Sequence, residues 1–476
     1  MLFDDYKLIN RANVEHQQYY PRPGWVEHDP EEIYANTIKA IKTLMADVKT
    51  EGADWSLAIT NQRETVVVWN RLTGKPVYNA VVWQCQRGAQ LCEELRQAGH
   101  EETVRAKSGL MIDPYFSATG VKWILDNVEG VMEMALRGEL MMGTIESWLI
   151  WKLSEGKSHT CDYTNASRTL LFNIHTLAWD DELLEIFGIP SSMLPEALPS
   201  DSVFGETTIE GLFSAPIPIA GAIGDSHGAL VGQMCFSRAM GKATYGTGSS
   251  VMVNIGEECL TPPKGLCTSV GFAALGKVFY AFEGNIHCTG ATIKWLVEKL
   301  HLIDSPSEIE AIALSVPDNG GVYLVPAFAG LGAPWWNSSA KAAIVGMTLA
   351  TEKGHVCRAA LEAIAFQIRD LIGTMSSQAS LKLSELRVDG GPTKNNYLMQ
   401  FQANVLNVNV NRAPIEEASA FGAVIMNGFA LGEFKTFEEA AALRKADDLI
   451  RPDSDLSREE ALCNGWRKAV DMVNIK

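Results

Sequence analysis

The tract PIPIAGAIGDSHGALVGQ runs from an apolar stretch into Gly224 and Asp225. A carboxylate held where a buried strand ends, on the floor of a cleft, can accept the proton of an attacking hydroxyl. The competing role is local, because an aspartate ahead of a helix also caps backbone N–H groups. TNQRET sets Arg63 beside Glu64 after another apolar run. One donates and the other accepts, which suits neighbouring hydroxyls of a polyol; the alternative is a solvated surface pair. Trp83 in VVWQCQ and Tyr115 in IDPYFS offer flat faces to a sugar's C–H groups, or else belong to the core. His227 and His287 are expected to be satisfied polar residues, since no metal-ligating set surrounds them.

Four glycine-rich turns accompany these residues: GDSHGALVGQ from Gly224, TYGTGSS from Thr244, AFAGLGAPWW from Ala327 and VDGGPTKNN from Val388. Each follows an apolar run. Glycine lets consecutive N–H groups point at a phosphate, and the hydroxyls of Thr247 and Ser249 could add donors. Each could equally be an ordinary turn. Nothing fits G-x-x-x-x-G-K-[ST], and no G-x-G-x-x-G follows a strand, so any nucleotide is held by another scaffold.

The elements that must position these groups alternate. Asp29-Pro30 starts a helix; ADWSLAITN and TVVVWNRLTGKPVYNAVVW read as strands, with a hairpin at Thr73-Gly74. A helix-rich stretch follows from about Gly88 to Trp151. The second half repeats the pattern with KATYGTGSSVMVNIG and GKVFYAFEGNI as strands and RAALEAIAFQIRDLIGTM among its helices. Strands alternating with long helices predict an α/β chain. At 476 residues it should form two domains facing across a cleft, divided as 1–232 and 233–476.

The formal charge of −17 argues against nucleic acid or an anionic membrane as a partner, though not against a phosphate held by backbone N–H groups. Nine cysteines without C-x-x-C or zinc spacing predict reduced, mostly buried thiols and a cytoplasmic protein. The most apolar stretch, Leu140 to Trp151, is too short to span a membrane and contains Glu146.

YPRPGWVEHDP, ITNQRET, NAVVWQC, IDPYFSATGVKWILD, DYTNASRTLLFNIHTLAWDD, TYGTGS, VPAFAGLGAPWW and RVDGGPTKNNYLMQFQ together resemble the FGGY family of carbohydrate kinases nearly end to end. The resemblance implies two ribonuclease-H-like domains of the actin and sugar-kinase type flanking a catalytic cleft. It implies transfer of the γ-phosphoryl of Mg-ATP to a small polyol, with glycerol the first expectation. By the same resemblance Asp225 is the base and holds Mg2+, while Arg63, Glu64, Trp83 and Tyr115 line the polyol pocket. Gly246, Thr247 and Gly248 cradle the terminal phosphates; Gly290, Lys294, Gly391 and Asn395 hold the rest of the ATP. Relatives that form dimers or tetramers make a homo-oligomer the expectation.

Three departures qualify this. The base of the glycerol-specific members is followed by two glutamines, here Ser226 and His227, and their phosphate turn continues with a phenylalanine, here Ser250. Ser226 and Ser250 then border a roomier, more polar pocket, suited to erythritol, threitol or a ketose of the xylulose or ribulose type. The third departure is the start. MLFDDYKLIN matches the family's second strand and its hairpin, without the first strand and its Asp-x-Gly-Thr turn. The expectation is an internal methionine taken as the start, or a cut fragment; the rival is a truncated, inactive paralogue. The family's fructose-bisphosphate loop is also not expected, because IEGLFSAPIP lacks its GGTR.

Overall fold

The computed structural model describes residues 1–50, 52–335, 337, 339–412, 417–444 and 448–474. Trp336, the last residue of AFAGLGAPWW, lies outside them. Asp29 accepts the Glu31 amide at 2.9 Å and Pro30 opens the helix Pro30–Met45, as the Asp-Pro pair predicts. The apolar tracts become Leu57–Asn61 and Val66–Asn70. The hairpin expected at Thr73-Gly74 forms only in part. Val66–Asn70 meets Ala80–Val81 at one pair, Val66 with Val81, and pairs along its whole length with Leu140–Thr144. The Leu140 to Trp151 stretch is therefore a strand running into the helix Ile145–Leu153. No helix among the described residues is long and apolar enough to cross a membrane.

Among the described residues the first half carries two sheets of three or more strands. Five short antiparallel strands run in the order Gln18–Tyr19, Glu27–His28, Ala80–Val81, Val66–Asn70, Leu140–Thr144. Val203–Thr207, Ile217–Gly224 and Leu57–Asn61 form the other, the last two parallel. MLFDDYKLIN folds into the expected hairpin, Leu2–Asp4 against Lys7–Asn10, with Asp5 and Tyr6 at φ 45° and 58° in its turn. The hairpin remains a two-stranded sheet of its own. Between it, the helix Pro30–Met45 and the strand Leu57–Asn61 runs a groove of about 1200 Å³, with Ile33, Leu44, Met45, Leu57 and Ile59 among its walls.

The second half is a seven-stranded mixed sheet, in the order Cys267–Ala274, Lys277–Ile286, Ser249–Gly256, Met240–Tyr245, Glu385–Asp389, Asn409–Arg412, Asp448–Ile450. The 26-residue helix Lys353–Gln378 packs into its core through Leu361, Ile364, Phe366 and Ile368. The expected division at 232/233 falls at the end of the helix Asp225–Gly232, hereafter the base helix, yet the chain comes back across it. Ala418–Ala430, the return helix, lies against the base helix and the strand Ile217–Gly224. Their backbones nearly touch: a Cβ on Gly422 would sit 1.9 Å from the Gly228 carbonyl oxygen, and one on Gly232 2.0 Å from that of Ala418. Only glycine permits this approach. One apolar cluster, with Leu230, Met252, Phe272, Phe421 and Met426, joins both halves.

Candidate active site

Ile217–Gly224 and Leu57–Asn61 end level with each other, Gly224 paired with Asn61, so the residues after both strands meet at the cleft. Gly224 must be small, because a Cβ there would lie 2.5 Å from Arg63 Cγ. Arg63 spreads its fork over the junction. Nε donates to Asp225 Oδ1 (3.1 Å), Nη2 to Ser226 Oγ (3.1 Å), and the two terminal nitrogens to Glu283 (2.7 and 2.9 Å). Glu64 sits at φ 61° in a tight turn closed by the Thr65 amide on the Arg63 carbonyl at 2.7 Å. A glutamate held there is strained, a condition that recurs at functional sites. The turn aims its carboxylate at Arg168, whose Nε donates at 2.6 Å. Arg168 also lies 2.9 Å from Glu283.

Arg63 and Glu64 are thus neither solvated nor paired with each other. Two arginines and two glutamates form one buried network that bridges the halves through Glu283. Burial alone would push the Glu283 carboxyl up, but the Arg168 and Arg63 charges hold it far below the usual carboxylate range. Burial pushes Glu64 up, against the pull of Arg63 and Arg168. His227 is the satisfied polar residue the sequence suggests: Nε2 lies 3.0 Å from Ser269 Oγ and Nδ1 3.4 Å from Arg63. Burial first, and the Arg63 charge second, push its pKa well below the ordinary value.

Asp225 opens the base helix with its side chain 46% exposed, while Arg63 beside it is 4% exposed. Oδ1 takes the Ser226 amide at 2.6 Å as well as Arg63 Nε, but the cap expected of Asp225 does not form, because Gly224 is the N-cap and Asp225 the first helical residue. Oδ2 accepts no hydrogen bond among the described residues and is free for a proton or a cation. Trp83 and Tyr115 stand edge to face, centroids 5.3 Å apart, as one half-buried aromatic wall. Arg168 stacks over Phe116 and Tyr115 at 5.0 and 5.8 Å, and burial pushes the Tyr115 phenol up.

The opposite wall is the hairpin Met240–Tyr245 and Ser249–Gly256. Its turn is pinned by the Gly246 amide on the Gly248 carbonyl (2.7 Å) and by the Gly290 and Ala291 amides on the carbonyls of Gly246 and Thr247 (2.9 and 3.0 Å). Gly246, Thr247, Gly290, Lys294 and Gly391 converge on a pocket of about 540 Å³, within the range of small-molecule sites. An exposed glycine-threonine tip beside Lys294 fits phosphate oxygens, and Gly290 leaves no room for a Cβ, which would lie 2.7 Å from the Gly246 carbonyl. Gly248 packs inward on the Ile286 carbonyl, and Asn395 caps the helix Asn396–Leu406 through the Leu398 amide at 2.8 Å. Ser249, expected as a second donor, is instead buried against Thr289 Oγ1 at 2.6 Å. The free oxygen of Asp225 is of the type Mg2+ takes, and a cation shared with substrate phosphates needs no all-protein cage. Among the described residues no such cage of three or more ligating side chains forms.

Strand register lines up two polar rows on the face turned to the base helix. Asp389, Thr244, Ser250 and Asn285 form the outer row; Arg387, Lys242, Met252 and Glu283 form the inner one. Lys242 is 1% exposed, and its Nζ donates to Ser250 Oγ (3.1 Å) and Thr244 Oγ1 (3.3 Å). Burial pushes its pKa down, with Asp389 and Glu283 opposing. Arg168, Glu283 and Lys242 were not singled out from the sequence. The signal for the last two was present, since a charge inside an apolar strand tract is almost never buried without a partner or a task.

The family model for the N-terminal domain of FGGY carbohydrate kinases matches residues 1–232, and that for the C-terminal domain matches 241–431. Glycerol kinase 2 of Thermotoga maritima is 48% identical over 472 residues, 99% of this chain and 95% of that protein. Glycerol kinase 1 of the same organism is 51% identical over 464 residues, 97% and 94% of the two chains. Among solved structures, Plasmodium falciparum glycerol kinase with ADP superposes with a TM-score of 0.94 at 36% identity, covering 100% of this chain and 95% of that one. A xylulose kinase from Lactobacillus acidophilus, at TM-score 0.89 and 18% identity, covers 99% and 94% and shares the fold.

Proposed function

The chain belongs to the FGGY family of carbohydrate kinases, and from that premise we propose that it phosphorylates glycerol to glycerol 3-phosphate with ATP as donor. The reading is supported above all by one arrangement: Asp225, a half-exposed carboxylate with a free oxygen at the end of a buried strand, is held by Arg63, which Glu283 of the far domain grips in turn. Trp83 and Tyr115 take the carbon edge of the polyol and Glu64 accepts from its hydroxyls. The turn Gly246–Gly248 with Thr247 holds phosphate oxygens, and Gly290, Lys294, Gly391 and Asn395 flank the remainder of the nucleotide.

Asp225 then receives the hydroxyl proton as the acceptor oxygen attacks in line. Most of the acceleration comes from positioning and charge placement rather than covalent chemistry. Asp225 is also the residue that would hold Mg2+, which supplies neutralising charge for the phosphate oxygens. Coupled ADP release from the purified chain with ATP, Mg2+ and glycerol tests the reading. Asp225→Asn is expected to lower kcat by about 10²- to 10⁴-fold with an unchanged circular-dichroism spectrum. Near-normal kcat would remove Asp225 as the base.

A second reading, a four- or five-carbon polyol or ketose, is favoured by Ser226 and Ser250, short side chains whose hydroxyls meet Arg63 and Lys242. Glycerol outperforming every longer acceptor in kcat/KM would overturn it. A cytoplasmic site, in keeping with nine free cysteines, and assembly as two or four copies accompany the proposal. Fractionation and light scattering measure them.

A further inference from the structure

The tract DYTNASRT supplies Arg168 to the buried network, and its opening residues lie where the two parallel strands of the first domain end. Asp162 closes the short strand Thr160–Asp162 and caps the one-turn helix Tyr163–Ala166. An N-cap carboxylate takes one or two backbone amides, and here it takes those of Thr164 (2.9 Å) and Asn165 (3.0 Å). It also takes three side-chain donors: Ser200 Oγ (2.7 Å), Thr164 Oγ1 (2.9 Å) and Asn165 Nδ2 (2.9 Å). The carboxylate therefore orients side chains as well as the helix. Two of those side chains each reach a strand end. Thr164 gives its single O–H to Asp162, so its oxygen is left to accept, and it takes the Gly224 amide at 2.9 Å. Asn165 and Asn61 exchange carboxamide bonds at 2.9 and 3.0 Å. Gly224 immediately precedes Asp225, and Asn61 stands two residues before Arg63. The ring closes where Arg63 Nε meets Asp225 Oδ1. Asp162, Thr164 and Asn165 are fully buried and Asn61 nearly so, and a donor or acceptor left unpaired there is costly.

Resting on the kinase reading above, we propose that Asp162 is a positioning residue for the transfer. Through Thr164 it fixes the backbone that enters Asp225, and through Asn165 and Asn61 the backbone that enters Arg63. One buried carboxylate thereby sets the base and its clamp against each other. Fully buried itself, Asp162 touches no substrate and acts only through these two arms. Its effect belongs to the alignment of the Asp225 oxygen with the acceptor hydroxyl, where a displacement of about 1 Å can cost about 100-fold in rate. A purely structural cap would behave differently, lowering stability while leaving the turnover of each folded molecule unchanged.

The test uses the full chain with ATP, Mg2+ and glycerol, turnover being read by ADP release and affinity for glycerol and ADP by titration calorimetry. Thr164→Val keeps the side chain's outline and removes the hydroxyl that joins Asp162 to Gly224. It is expected to lower kcat about 10- to 100-fold while both Kd values move less than about twofold. Thr164→Ser returns the hydroxyl and is expected to bring kcat back to within about threefold of the wild type. Added to Asp225→Asn, Thr164→Val is expected to cost almost nothing more, because the base it aligns is already disabled. Ser200→Ala removes one donor from Asp162 and is expected to lower kcat about two- to fivefold in the same pattern, which keeps the test open if Thr164→Val does not fold. Unchanged kcat per folded molecule, a loss that falls on glycerol affinity instead, or losses that add in full to Asp225→Asn overturn the proposal and leave Asp162 a cap. A wild type that turns over neither glycerol nor a longer polyol overturns the kinase reading, and the positioning role falls with it.

Discussion

Two buried cations face the same cleft and are treated in opposite ways. Arg63, on the first domain, meets two carboxylates, a serine and a histidine, and its fork is saturated. Lys242, on the second, meets two hydroxyls. A guanidinium with fixed planar geometry suits a permanent bidentate bridge, while an ammonium on a flexible stem suits an intermittent one. Arg63 therefore acts as part of the framework that holds Asp225 and ties the domains together. Lys242 instead ties together the hydroxyls of two neighbouring strands, with carboxylates acting on it only from a distance.

The largest effect should come from breaking the first. Glu283→Ala leaves Arg63 and Arg168 buried without their shared carboxylate and is expected to cost about 3–5 kcal/mol of stability, read from urea unfolding. A loss below about 1 kcal/mol would mean that the network relaxes to water and that the framework role is misplaced. A smaller effect concerns His227, which lies against Arg63 and within the field of Lys242. Its folded pKa lies below its unfolded one, so the unfolded chain takes up a proton that the folded chain refuses. Stability should fall as the pH drops below about 6.5, and His227→Asn should flatten that slope by up to one proton. His28 and His159, both held down to about 4 by burial, and His287, which burial also lowers, keep a share of the slope. The smallest effect on stability is expected at Lys242→Met, whose Tm should hold or rise because an unpaired buried charge is removed. A fall comparable to that of Glu283→Ala would make the two cations equivalent and end the contrast.

Much of this was legible in the residues. Asp29-Pro30 began a helix, all four glycine turns lie at strand ends, and Asp225 follows a strand buried almost throughout. These are local signals, and local signals survive folding. The partners of the key residues were not legible. Arg63 and Glu64 are adjacent in sequence yet point to Glu283 and Arg168, because a left-handed turn at Glu64 separates them. The Thr73-Gly74 hairpin was read too long: beyond the Trp69–Pro76 bridge its second arm meets Val66–Asn70 as a strand only at Val66 with Val81, while Leu140–Thr144, far along the chain, covers the opposite edge. Ser249 looked like a phosphate donor, but strand alternation turns it inward to Thr289. Long-range contacts decided the partners of Arg63, Glu64 and Ser249.

The glycine contact between the base helix and the return helix has a consequence for how the protein is made. When a nascent chain has emerged only as far as Gly232, Asp225 and the strand that leads into it are present. The helix that covers the base helix is not. Ile223, Leu230 and Val231, buried in the finished protein, then lack Phe421, Ile425 and Met426. A contact of such long sequence separation forms late, so the first half cannot settle as a finished unit while the second is still being translated. Asp225 gains its final support only when a segment near the end of the chain docks. The fold thus couples catalytic competence to completed synthesis, and a product released before Ala418 would carry the proposed base without its bearing.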